Sequence, residues 1–383
     1  MASNYSPVLQ QFIAGFLKKA RAAMLASRVV NRDFDPMPVG KGQTISVTYP
    51  TSYVAKPVTP GAAPVAGDDA TPSLAPLTLD QWWDVSTNIT DKDLAAIQSG
   101  IFDAEKDAMV VALVEKINSS IYSCTDQFYN VAGTAGTNPF ATDEQPLLDA
   151  IEILDTARTS SANRIAILTA AAKAKALKID NVTRYDARGD GAAKITGVLG
   201  NAYGVDLMMD QLVGTHTSTP LSAGAATVNG AQAVGQGSTD NGRTGTVSIA
   251  KATNAAPLVA GDILTFSGDS QTYVVTAAVN LAVGNTTVSI APALTTAKTG
   301  GETVTLTAAH KAMPVMVPEA ITFASRLVSS LEDVGHIAQM ADPQTGLAIT
   351  VEIQRQHYQS KLAVSCQWGV KSFRPEWGVR LLG

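Results

Sequence analysis

The chain has 383 residues, of which 45% are hydrophobic and only 16% charged, with a formal net charge of −5. That length allows two or three domains or one elaborated fold, and so charge-poor a surface, against about 25% in ordinary soluble domains, favours association. The acidic balance argues against a nucleic-acid-binding domain, and no apolar run approaches the roughly 18 residues a membrane helix needs.

Residues 1–35 read as one amphipathic helix. Ser6 is a plausible N-cap with Pro7 at the first helical position. Leu9, Phe12, Ile13, Phe16, Leu17, Ala20 and Met24 fall at spacings of three and four and make one stripe. The cations Lys18, Lys19, Arg21 and Arg28 follow the apolar stretch, the reverse of a signal peptide. Few cations flank the N-terminal half, so a stripe packed on protein is favoured over a membrane-surface helix.

Residues 40–90 look like two strands joined by a long tip. Ile45, Val47 and Tyr49 alternate in GQTISVTY; Leu77, Leu79, Trp83 and Val85 alternate in LTLDQWWDV. Between them Pro57, Pro60, Pro64, Pro72 and Pro76 exclude a sheet interior. A structureless stretch of that length inside a compact domain usually has a function, and the pattern predicts an extended two-stranded arm. Adjacent Trp82 and Trp83 must point to opposite faces of a strand, so one can serve the core while the other needs a partner or stays wet.

Thr90 and Asp93 make a capping-box-like start, with Asp in place of the usual Glu or Gln. From there a helical pattern runs to about Ser123, roughly 45–50 Å at 1.5 Å per residue, with Gly100 a point where it can kink. Residues 130–215 change character: a helix opened by Pro146, a strand RIAILT, a helix AAAKAKALK and a strand YGVDLMMDQLV suggest a mixed α/β subdomain. From 216 to 311 the chain is rich in Gly, Ala, Ser and Thr. The short runs TVSIA, DILTF, TYVVTA, TTVSIAPAL and TVTLTAA, divided by turn residues, indicate a small antiparallel barrel or sandwich. The last segment reads as two longer strands and an apolar hook, WGVKSFRPEWGVRLLG, at a place where chains are usually polar and frayed.

Chemistry is sought and mostly not found. His216, His310, His336 and His357 show no metal-ligand spacing, and Cys124 and Cys366 are too few for a disulfide framework. They read as packed, reduced thiols in a protein folded in cytosol. GDGAAK at Gly189 lacks the last glycine of a dinucleotide loop, and neither VGKGQT nor GVKS can cradle a phosphate. Arg188-Gly189-Asp190 reads as an ordinary turn. No catalytic, cofactor or metal site is expected. A long arm, a strut, an α/β plate, a small β-domain and an apolar terminus suit a subunit that builds a shell.

At the C-terminus the sequence resembles tailed-bacteriophage major capsid (coat) proteins of the Hong Kong 97-like fold, in the short-tailed-phage branch that carries an inserted β-domain. The likeness rests on Trp368, Gly369 and Val370 ahead of Arg374, Pro375 and Glu376, on VAGDILTFSG at 259–268, and on the order of parts. It implies an α+β chain divided into an N-terminal arm (1–36), an extended loop (37–90), a spine helix and peripheral domain (91–129), an axial domain (130–215), an inserted β-barrel or sandwich (216–311) and returning axial and peripheral strands (312–383). Inter-subunit contacts are then expected at Leu9, Phe12, Phe16, Tyr53, Trp82, Trp83, Phe373, Arg374 and Trp377. The implied partners are identical subunits in pentamers and hexamers, a separate scaffolding protein, a portal protein, packaged double-stranded DNA without sequence-specific binding, and decoration proteins, with no membrane. The implied location is the virion, assembled in the host cytoplasm. A secreted adhesin or surface-layer protein, suggested by the Thr/Val-rich strands, and an enzyme with an appended β-module are the competing classes.

Overall fold

The computed structural model describes residues 13–20, 24–33, 44–49, 55–58, 60, 67, 73–90, 101–179, 199–221, 226–238, 242–327, 336–342 and 344–383. They form a mixed α/β chain with two principal sheets, a closed barrel, a separate two-stranded hairpin and one long helix.

The long helix is described over Ile101–Ser123. Met109, Val110, Leu113, Val114, Ile117 and Ile121 recur at helical spacing and are buried, which is what fixes the helix against its neighbours. Residues 13–20 are also helical. Their stripe, Ile13, Phe16, Leu17 and Ala20, is buried in the same core, and Lys19 forms an ion pair with Asp107 of the long helix. The described part of this stripe is therefore covered by its own chain.

The second strong element is the strand Gln359–Ser372. It pairs antiparallel with Leu347–Gln356, Ile321–Arg326 and Gln81–Thr90, and His336–Asp342 adds the outer strand beside Leu347–Gln356. Leu362, Val364, Cys366 and Trp368 all point into the core, a period of two. Trp368 is completely buried, and its Nε1 donates to Ser120 Oγ on the long helix at 2.8 Å.

LTLDQWWDV is not one strand. Ser73–Thr78 pairs with Thr44–Tyr49 to make the hairpin, whereas Gln81–Thr90 joins the long strand. The chain changes sheets at Leu79, whose carbonyl accepts a bond from Gln367 Nε2 at 3.1 Å. Gly369 permits this crossing, since a Cβ there would stand 2.3 Å from the Thr78 carbonyl oxygen. Leu79 is buried with Ile45, Leu77, Ala324 and Phe373 in a small core of their own.

The other large sheet runs Asn130–Ala132, Gly378–Leu382, His310–Met316, Arg164–Leu168, Val205–Met209 and Gly200–Ala202, with Thr215–His216 paired to the start of His310–Met316. All five residues of Arg164–Leu168 are buried. The helix Gln145–Thr156 turns Leu147, Ala150 and Leu154 inward, and Ala170–Ala176 is capped by Thr169, whose hydroxyl accepts from Ala172 N at 3.2 Å. The apolar hook is an inner strand here. Gly378–Leu382 lies between His310–Met316, antiparallel, and Asn130–Ala132, parallel, and all five residues are buried. The C-terminus closes the core of its own molecule.

Six strands, from Ala226–Val228 to Thr303–Leu306, close into a barrel. Gly245–Lys251 alternates buried and half-buried residues along its whole length. Val247, Ile249, Leu264, Phe266, Tyr273, Val275, Val288 and Ile290 fill a core separate from the main one. An ion pair between Lys298 and Asp269, both nearly inaccessible, closes its side. Burial alone would raise the Asp269 pKa, but Lys298 and hydrogen bonds from Gln271 N, Tyr273 and Thr296 outweigh it and hold the carboxyl at about 2.

Candidate functional site

Two features stand apart from ordinary core packing: a charged joint between barrel and body, and the surfaces that project from the body.

The joint is assembled from five elements. Asp126 sits in the 3-10 turn Cys124–Gln127 that ends the long helix; His216 and His310 face each other on paired strands; Arg380 comes from the closing strand; Gly261 and Asp262 come from the barrel turn VAGD. Arg380 has no exposed surface. Its guanidinium donates to Gly261 O at 2.9 Å and to Asp126 O, and Nη1 lies 3.4 Å from His310 Nε2. His310 Nδ1 donates to Ala308 O at 2.8 Å, which leaves Nε2 as the acceptor. His216 bridges two carboxylates, with Nε2 at 2.8 Å from Asp262 Oδ1 and Nδ1 at 3.4 Å from Asp126 Oδ2. Asp262, fully buried, also accepts from Val259 N at 2.7 Å.

These contacts set the charge states. Burial would lower the His216 pKa, but the bonds to Asp126 and Asp262 outweigh it and hold the imidazole up at about 9. His310 is pushed down, by burial first and by Arg380 and His216 beside it. Burial brings Arg380 down to about 10 against the pull of Asp126 and Asp262. Two cations thus meet Asp262, which is fully buried, and Asp126, whose side chain is 31% exposed at the edge of the joint. Gly261, at φ +94°, brings the barrel close enough for this: a Cβ would lie 2.8 Å from Asp126 Cβ and 3.0 Å from the His216 ring. Further out, Arg243 of the barrel donates to Phe373 O at 2.9 Å and reaches Glu376 at 3.4 Å. Sequence reasoning reads VAGD as a turn and the histidines as scattered. An Arg inside the otherwise apolar strand Gly378–Leu382 and the Asp of the turn VAGD were the available signal for this cluster.

The residues expected at inter-subunit contacts divide sharply. Leu9, Phe12 and Tyr53 lie outside the described residues, as do Asp93 and the Arg188-Gly189-Asp190 turn. Phe16 and Phe373 are buried inside their own chain, Phe16 against the main core and Phe373 against Leu79 and Ala324. Trp82 and Trp83 are 59% and 45% exposed on Gln81–Thr90. Neither enters the core, because this strand is covered only in part; Lys116 Nζ sits 4.0 Å over the Trp83 ring. Arg374 and Trp377 are half-buried and stacked, with Arg374 Cζ 4.0 Å from the ring centre. In the hairpin's extension Val58 is 81% exposed.

Among the described residues no group of three or more His, Cys, Asp and Glu could hold a metal ion, and no helix is long and apolar enough to cross a membrane. Burial pushes the Cys124 and Cys366 thiols up to about 12, which leaves them poor nucleophiles.

No family model and no curated protein matches the sequence. Solved structures do. A structure of Mycobacterium phage Che8 is 12% identical, covers 94% of this chain and 90% of its own, and superposes with a TM-score of 0.53. The capsid structure of the cyanophage P-SCSP1u gives 12% identity, coverage of 90% and 84%, and a TM-score of 0.48. The mature capsid of bacteriophage PhiM1 gives 11%, 88% and 82%, and 0.46. At such identities the likeness is one of fold: over nearly its whole length this chain shares the fold seen in the Che8 structure.

Proposed function

We propose that this chain is the major capsid protein of a tailed bacteriophage, whose copies assemble into the icosahedral shell around a double-stranded DNA genome. The observation that carries the reading is the fold shared with the Che8 phage structure across 94% of the chain. The resemblance of the closing run and of VAGDILTFSG to coat proteins points the same way. On this reading the fold is Hong Kong 97-like, with residues 1–36 as the arm, 37–90 as the extended loop, 91–129 as spine helix and peripheral domain, 130–215 and 312–383 as axial and peripheral parts, and 216–311 as the inserted domain. The role is structural, not enzymatic. Like subunits in pentamers and hexamers are its main partners, with a separate scaffolding protein and a portal protein during assembly in the host cytoplasm. DNA is enclosed without sequence-specific contacts.

Physically, the chain spends its C-terminus and arm stripe on its own core and keeps the hairpin, Trp82 and Trp83 for neighbours. Several modest interfaces of this kind build a shell that is stable in sum, because most of the gross gain of each is offset by ordering costs. Trp is the side chain best suited to anchor such contacts. A secreted adhesin is not favoured, since the fold likeness spans the body as well as the barrel. Electron microscopy of the protein expressed with a scaffolding protein tests the proposal. Closed shells or curved sheets are expected; a monodisperse small oligomer at every concentration would overturn it.

A further inference from the structure

Three parts of the molecule meet around a cavity of about 540 Å³. The hairpin supplies Ala75 and Pro76, the barrel supplies Arg243 and Ala260, and the body supplies Asp126, Lys371 and Pro375. A space of that size is large enough to enclose a small organic molecule.

The walls are of two kinds. Ala75, Pro76, Ala260 and Pro375 are apolar and all keep some exposed surface, so the molecule's own packing covers them incompletely. The polar side is set by two cations and one carboxylate. Lys371 Nζ donates to Pro76 O at 2.8 Å, from body to hairpin, and Arg243 Nη1 donates to Phe373 O at 2.9 Å, from barrel to body. Carbonyl partners orient these cations but carry no charge themselves. Asp126 directs its carboxylate to the joint, where Oδ2 lies 3.4 Å from His216 Nδ1 and Oδ1 lies 3.9 Å from Arg380 Nη1. An apolar surface thus adjoins side chains that favour an anion.

We infer that this cavity binds a small monocarboxylate whose apolar body is the size of one or two rings. The body lies against Ala75, Pro76, Ala260 and Pro375, which removes their surface from water. The carboxylate is received by Lys371 and Arg243 through charge-assisted hydrogen bonds. An inorganic anion would leave the apolar wall wet, and a neutral molecule of the same shape would forgo the charge. Because the walls come from three parts, a bound ligand ties hairpin and barrel to the body at once. The site is complete within one chain, so the inference does not depend on the shell-forming reading.

The test titrates 2-naphthoate into the full-length chain by isothermal titration calorimetry. Naphthalene-2-carboxamide and acetate serve as controls, each carrying half of the ligand's chemistry. One saturable site per chain is expected for 2-naphthoate, with both controls at least about tenfold weaker. Lys371→Met should weaken 2-naphthoate about tenfold and leave the carboxamide unchanged, and Arg243→Gln reads the same charge from the barrel side. Thr276→Trp, at an exposed position of the wall, should plug the cavity and abolish binding, with the circular dichroism of the chain unchanged. Amide exchange of Ser73–Thr78 and of Gly261 should slow together on saturation, since a ligand that binds only the closed arrangement stabilises both walls. Absence of 2-naphthoate binding at millimolar concentration overturns the inference, as does equal affinity for acid and amide. Binding indifferent to Thr276→Trp, or protection confined to one wall, overturns it too. None of these outcomes bears on particle formation, which electron microscopy decides separately.

Discussion

The two most apolar extensions of this molecule behave in opposite ways. The closing strand Gly378–Leu382 is threaded between two other strands and is wholly buried, while the hairpin Thr44–Tyr49 and Ser73–Thr78 pairs only with itself and leads to an exposed Val58. Both are rich in apolar residues, so hydrophobicity alone does not separate them. What differs is the backbone. The hook contributes an unbroken strand whose amides and carbonyls an inner position can satisfy; the tip's sequence is interrupted by closely spaced prolines that cannot donate, which disfavours a sheet interior.

The most severe way to test that contrast is to remove each extension in turn. Deleting Phe373–Gly383 takes an inner strand out of the central sheet together with the buried Arg380, and soluble protein should be lost, read by fractionation after expression. Replacing residues 59–72 by a short Gly/Ser turn should leave the unfolding free energy of the isolated chain within about 0.5 kcal/mol, the usual range for surface changes, yet abolish particle formation in sedimentation. If the deletion folds normally, or the tip replacement unfolds the chain, the contrast is wrong.

A smaller effect is expected at the joint. Arg380→Ala removes a fully buried guanidinium that donates to the Gly261 and Asp126 carbonyls, leaves the buried Asp262 short of a cation, and should cost about 3–5 kcal/mol in chemical denaturation. Acidity offers a gentler probe of the same place. The His216 pKa is about 9 in the folded chain against 6.5 for a free imidazole. Its contribution is thus complete below pH 6.5 and is lost as pH rises through 9. Roughly 3 kcal/mol should disappear over that window, seen as faster amide exchange of Gly261 and Val275, whose backbone groups bond across the barrel turn. His216→Gln should flatten this dependence. Least perturbing of all, Trp82→Ser should shift stability by under about 0.5 kcal/mol while weakening assembly, since the ring is mostly exposed.

Local periodicity in the sequence marks most elements. The alternation in TVSIA and TYVVTA corresponds to Gly245–Lys251 and Tyr273–Val275, Pro146 marks the opening of Gln145–Thr156, and RIAIL is a buried strand. Pairing is not legible in that way. Nothing in LTLDQWWDV signals that Leu79 is a crossing point, because the cause lies 290 residues away, at the Gly369 backbone and the Gln367 amide. The charged joint is hidden for a similar reason. His216, Asp262 and Arg380 each look like an isolated polar residue until two distant strands and a barrel turn bring them together. The tail's direction, inward or outward, was likewise a question of sheet order, which composition does not encode.

The paired segments Thr215–His216 and His310–Lys311 flank every strand of the barrel. The polypeptide therefore leaves the body and comes back through a single doorway, its two threads lying side by side. Anything with closely spaced ends could be spliced at that doorway without rethreading the sheet behind it. A molecule arranged in this way can exchange its barrel over time, or at an engineer's bench, while the body to which it is fastened keeps the same weave.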